Sequence, residues 1–154
     1  MRIIAQRVKQ ARVDIQHKSV ATIGQGLLLL VGFSQEDITE SADSAKWCKL
    51  RNKISNLRIF PDQNDKSNLS LEDIKGEVLV VSQFTLYADC KKGKRPSFTS
   101  AAPAGQAKEL YNRLIHDLKT DLPGRVKSGI FGAEMELWFC NWGPVTIILD
   151  SKDF

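Results

Sequence analysis

The 154-residue chain has few of the side chains that most enzymes use to move protons or hold metals: two histidines, His17 and His116, and three cysteines, Cys48, Cys90 and Cys140. The cysteines are odd in number, far apart and without a C-x-x-C pair. That excludes a disulfide framework and a zinc knuckle, and fits a reducing compartment. No H-E-x-x-H, no closely spaced His/Asp/Glu cluster and no G-x-x-x-x-G-K-[ST] loop occurs, so neither a metal nor a cofactor is expected. Long apolar runs are missing too. The longest, Leu27 to Val31, falls far short of the ~20 residues of a spanning helix, and the opening residues carry no apolar stretch followed by a small-residue cleavage site. A soluble, cytoplasmic protein with no membrane partner is expected. Ordinary globular composition, 42% hydrophobic and 26% charged, with no internal repeat, predicts one domain over residues 1–154.

The net charge of +4 is small, but it is unevenly distributed. Arg2, Arg7, Lys9 and Arg12 precede the first acid, Asp14, and Lys91, Lys92, Lys94 and Arg95 fall within five residues. On charge alone such runs read first as solvated faces, with phosphate contact as the alternative.

Apolar patterning predicts strands at both ends and in the middle, with two helices between them. Residues 1–9 and Val20–Phe33 read as two opening strands, the second broken by Gly24-Gln25-Gly26, a hairpin or bulge signal. Trp47, Leu50, Ile54 and Leu57 recur at helical spacing in a helix predicted over Thr39–Leu57, with Thr39 or Ser41 as cap and Glu40 and Asp43 in the first turn. Pro61–Ser67 reads as a surface loop. Glu77–Tyr87 reads as a central strand, apolar through Val78-Leu79-Val80-Val81 and then polar. Pro103 suits a first helical position. Ala107, Leu110, Tyr111, Leu114 and Leu118 continue that helix until Pro123-Gly124 stops it. Ala133–Phe139 and Val145–Leu149 read as two closing strands, with Cys140 in the core. His17 falls in a turn, and His116 faces away from the helical stripe. The predicted class is α+β: a curved mixed β-sheet or open barrel with two main helices on one side.

Two segments interrupt apolar strands with polar groups: Ser82-Gln83-Phe84-Thr85-Leu86 and Asn141-Trp142-Gly143-Pro144-Val145-Thr146. At these residues the chain resembles the D-aminoacyl-tRNA deacylase family, whose signatures are a Ser-Gln-Phe-Thr-Leu strand and an Asn-x-Gly-Pro-Val-Thr segment. The resemblance extends to the opening Met-Arg-Ile-Ile-Ala-Gln-Arg-Val, to Ile23–Leu28 and to Lys92-Gly93-Lys94-Arg95-Pro96-Ser97-Phe98. Trp142 departs from it, since a small or acidic residue is commoner there, at the outer rim of the site.

The resemblance implies hydrolysis of the ester joining a D-amino acid, or glycine, to the 3′ end of tRNA. It also implies a homodimer in which Gly143-Pro144, with a cis bond, enters the partner's site. There its adjacent carbonyls would accept from the substrate α-ammonium and leave no room for an L side chain. Arg7 would hold that segment, Met135 and Asn141 would help bind substrate, and Ser82, Gln83, Phe84 and Thr85 would form the catalytic strand. Backbone N–H groups near Phe84 and Thr85 are the candidate oxyanion hole. With a tRNA substrate, Lys91, Lys92, Lys94 and Arg95 become candidate contacts to the acceptor stem. Thr85 has no adjacent base in sequence, so water attack assisted by the tRNA's 2′-hydroxyl is expected. A Thr85 or cysteine nucleophile and a non-catalytic tRNA-binding module are the alternatives.

Overall fold

The computed structural model describes residues 1–39 and 44–154. In chain order the elements are β1 (Arg2–Ile15), β2 (Lys18–Ile23), β3 (Gly26–Gly32), α1 (Gln35–Ile38), α2 (Ala45–Asn56), β4 (Phe60–Pro61), β5 (Ser67–Leu69), β6 (Glu77–Ser82), α3 (Ala104–Asp121), β7 (Val126–Ser128) and β8 (Glu136–Asp150). Two 3-10 turns, Phe84–Tyr87 and Ser151–Asp153, complete it.

β1 is the spine. Its first half pairs antiparallel with β3 and its second half with β2, in one register: Ala11 opposes Ile23 and Val8 opposes Gly26. Three opening strands therefore replace the two expected, and Gly24-Gln25 interrupts one long hairpin arm instead of making a hairpin of its own. The Gln16-His17 turn, with positive φ at both residues, closes the β1–β2 hairpin. β3 continues into β6 and β6 into β7 by parallel pairing, while β8 lies on the other side of β1 as an edge. The sheet curls toward closure, and the Lys127 ammonium on β7 reaches the Thr22 carbonyl on β2 at 2.5 Å.

The apolar runs of β3 and β6 follow from burial on both faces. Leu27, Leu29, Val31, Val78 and Val80 pack under α2 and α3, whereas Leu28, Leu79 and Val81 join Val8, Ala11 and Val13 on the opposite face. Each such side chain contributes about 1.5–3 kcal/mol. Tyr111 on α3 donates to the Val80 carbonyl at 2.8 Å. The Trp47 indole on α2 donates to buried Asp117 on α3, also at 2.8 Å.

Several boundaries move. α2 starts at Ala45, where Ser44 accepts from the Trp47 N–H. Thr39 is the C-cap of α1, and the expected Ser41 cap with Glu40 and Asp43 lies outside the described residues. Pro61–Ser67 is the tip of a small β4–β5 hairpin. Pro103 is the N-cap of α3 and not its first residue. β7 lies in a short segment that carries no periodicity. The two closing strands are one, β8, and Cys140 on it is exposed, because β8 is an edge strand with both faces largely uncovered. Among the described residues no helix is long and apolar enough to cross a membrane.

Candidate active site

The first signature is a strand that stops. β6 ends at Ser82; the Gln83 N–H still donates to Val31 at 2.7 Å, and the chain then tightens into the 3-10 turn Phe84–Tyr87. The polar residues expected to continue the strand thus form its terminating turn. Gly32 permits this, since a Cβ there would lie 2.8 Å from the Gln83 carbonyl oxygen. Arg2 pins the turn from beneath, donating to the Leu86 carbonyl at 2.8 Å with its guanidinium 5.0 Å from the Tyr87 ring centre.

Around this turn lies a pocket of about 420 Å³. Ser82, Gln83 and Phe84 line one side, Phe131, Ala133, Met135 and Leu137 the other, and Ala104 stands at the start of α3. Among the described residues no titratable side chain lines it. Thr85 is exposed and lies outside the lining; its hydroxyl accepts from the Gln83 amide at 2.5 Å. Phe84 is 56% exposed and meets Phe98 edge-on, with ring centres 5.0 Å apart. Paired hydrogen bonds between Asp89 and Ser97 fold the basic loop back and deliver Phe98 to this contact. Lys91, Lys92, Lys94 and Arg95 stand exposed on that loop.

The second signature is an outgrowth of β8. Gln6 opposes Thr146 and Val8 opposes Asn141, so two steps along β1 face five along β8, and Trp142 to Val145 are pushed out of the ladder. Such a bulge re-aims backbone away from its partner strand. Asn141 donates to the Thr146 hydroxyl at 3.3 Å across the base, while its Oδ1 is buried without a partner. The Gly143-Pro144 peptide is cis, and both residues are exposed.

Arg7 holds the outgrowth from below. It is buried, donating from Nε to the Trp142 carbonyl at 2.9 Å and from Nη1 to the Ile59 carbonyl. Its guanidinium lies 4.6 Å from the Trp142 ring centre, with Lys9 at 5.6 Å from the same ring. Burial lowers the Arg7 pKa from its ordinary value. Gly143 has φ +126°, and a Cβ there would lie 2.6 Å from Arg7 Nη2.

The predicted residues thus gather into two clusters. Ser82, Gln83, Phe84 and Met135 share the pocket, whereas Arg7, Asn141, Gly143 and Pro144 share the bulge, which does not line that pocket. Phe131, Leu137 and Ala104 carry no local signal in the sequence; Phe98 does, within Arg95-Pro96-Ser97-Phe98. Among the described residues no group of three His, Cys, Asp or Glu is placed to hold a metal.

Comparison with known proteins supplies the context. The family model for D-Tyr-tRNA(Tyr) deacylase matches residues 4–150. A D-aminoacyl-tRNA deacylase of Nitratidesulfovibrio vulgaris is 52% identical, covering 99% of this chain and 94% of its own. One from Thermotoga petrophila is 50% identical over 99% and 98%. Among solved structures, the c-Myc DNA Unwinding Element Binding Protein superposes with a TM-score of 0.87 at 36% identity, covering 97% of this chain and 98% of its own. A probable eukaryotic D-amino acid tRNA deacylase shares the fold at a TM-score of 0.76 and 22% identity, over 96% and 97%. A match over nearly the whole chain, with both signatures inside it, means that this chain is a hydrolase belonging to the D-Tyr-tRNA(Tyr) deacylase family.

Proposed function

We propose that the chain hydrolyses the ester joining a D-amino acid or glycine to the 3′ end of tRNA, as a homodimer in which Gly143-Pro144 of one protomer closes over the pocket of the other. The observation that carries this reading is the Arg7-held outgrowth Trp142–Val145 on an exposed edge strand. Selection between mirror-image substrates requires a group that reads the α-carbon, because both hands carry the same substituents. Fixed main-chain carbonyls do this by accepting from the α-ammonium and occupying the place of an L side chain. Glycine, with no side chain, escapes rejection, and many D side chains are tolerated.

The dimer is supported by β8 itself. Among the described residues it pairs on one side only, and Trp138, Phe139 and Ile148 are 58%, 40% and 65% exposed. An apolar edge of this kind invites a second chain. Pocket and outgrowth lie apart on one chain and would meet across such an interface, with Asn141 bracing the outgrowth and Met135 walling the pocket.

Chemistry within the pocket follows from what its lining offers. Backbone N–H groups that open a helical turn have no acceptor within it, so those of Phe84 and Thr85 are suited to a developing oxyanion. Phe84 and Phe98 give a stacking surface for the terminal adenine, and the Lys91–Arg95 loop beside them meets acceptor-stem phosphates. The lining supplies no general base, so the 2′-hydroxyl of the terminal adenosine orients the attacking water.

Thr85 then orients and does not attack. Thr85→Ala should keep single-turnover hydrolysis of D-Tyr-tRNA within about tenfold of wild type, the usual scale of a lost positioning contact. A loss of three or more orders of magnitude, with an acyl-threonine trapped on the wild-type chain, would identify a nucleophile instead. Loss of activity on thiol alkylation would point to a cysteine, and tRNA binding without release of amino acid to a binding module.

A further inference from the structure

Ser44 to Pro61 contains five lysines and arginines and no acid. α2 turns Trp47, Leu50 and Ile54 inward, and its outer face forms one wall of an open groove of about 640 Å³. Lys49, Asn52, Lys53, Asn56 and Arg58 line the groove with Leu57 and Phe154, and among the described residues no acidic side chain lines it. Lys49 and Lys53 are exposed, and among the described residues neither has an ion pair. Four residues apart on a helix, they stand about 6 Å from each other along its axis. Arg51, by contrast, turns away to Asp117 and Asp121. Arg58 is fixed by donating to the Asn68 carbonyl at 2.5 Å, a neutral partner. Its charge is felt by Asp73, whose carboxyl is held mainly by Ser70.

We infer that this groove binds the phosphodiester backbone of the tRNA whose acyl end is being hydrolysed, an inference that rests on the proposed substrate. Three cationic side chains, with no acidic side chain among the described lining residues, complement a polyanion, and the Asn52 and Asn56 amides suit ribose and phosphate oxygens. Arg58 also adjoins the segment that Arg7 ties to the bulge. Ile59, next to Arg58, accepts from the same Arg7 that holds the Trp142 carbonyl, so RNA whose acyl group meets Gly143 is brought within reach of Arg58.

The test compares D-Tyr-tRNA with D-tyrosyl-adenosine, an ester too small to reach α2. Lys49→Ala/Lys53→Ala should raise KM for D-Tyr-tRNA about tenfold and lower the slope of log KM against log salt by about 2. It should leave both kcat values and the KM for D-tyrosyl-adenosine unchanged, and Lys49→Arg/Lys53→Arg should retain the wild-type KM. Unchanged KM and salt slope for the tRNA would overturn the inference, as would an equal rise for both esters. So would a tRNA KM left intact in a variant that no longer binds phosphatidylserine vesicles, which would make the face a membrane contact. If the wild-type chain hydrolyses neither D-ester, the proposed function fails instead.

Discussion

Gly143→Ala is expected to lower kcat/KM for D-Tyr-tRNA by a hundredfold or more, roughly the penalty of displacing a positioning group by 1 Å. Two features of the site converge on this. The backbone at 143 has φ +126°, where L side chains are strained, and the added Cβ would lie 2.6 Å from Arg7 Nη2 and 3.0 Å from Val145 Cγ2. Arg7 cannot withdraw without giving up its bonds to Trp142 and Ile59, so the outgrowth must shift instead. Because Gly143 is exposed and belongs to neither core, the dichroism spectrum should stay native. Wild-type activity in this variant would remove Gly143 from the mechanism. Mixed dimers carry the argument further. A heterodimer of Gly143→Ala with a pocket-filling Ala133→Trp protomer has one intact composite site if the outgrowth works in trans, and about half of wild-type activity is expected. It has none if each protomer completes its own site.

Arg7→Ala should be comparably damaging to turnover, and Arg7→Lys should rescue little of it. The Arg7 side chain donates one N–H to the Trp142 carbonyl of β8's outgrowth and another to the Ile59 carbonyl in the segment after α2, a division that needs the spread donors of a guanidinium. An ammonium reaches one carbonyl and leaves the other, part-buried, without its partner, at up to about 1–3 kcal/mol. Alanine leaves both unpaired and removes the cation from beneath Trp142, so a lower Tm should accompany the activity loss. Full activity with lysine at position 7 would reduce Arg7 to a generic charge.

What the sequence disclosed depended on how local the signal was. The Trp47/Leu50/Ile54 and Tyr111/Leu114/Leu118 stripes revealed α2 and α3 because burial there follows a single helical period. The runs in β3 and β6 were recognisable for a different reason: both of their faces are covered, so they are apolar without alternation. The 3-10 turn at Phe84 was not legible, because what ends β6 is a long-range fit of Gly32 and Arg2 against it. Nor was the unity of β8, whose bulge is defined only by its pairing with β1. In the site, Ser82, Gln83, Phe84, Gly143 and Pro144 were legible as motifs. The role of Trp142 as the flat partner of Arg7 and Lys9 was not, since it depends on β1 and β8 lying side by side. The α2 groove was overlooked because its charges are spread at helical spacing and not clustered in a run.

The central claim is that handedness at the α-carbon, read by main chain, decides which ester is cut. It is tested most directly by measuring kcat/KM of the wild-type chain for D-Tyr-tRNA and L-Tyr-tRNA under identical conditions. A preference for the D ester of about a thousandfold or more is predicted, equivalent to about 4 kcal/mol between the two transition states. Comparable rates for the two esters, or faster release of the L-amino acid, would contradict it.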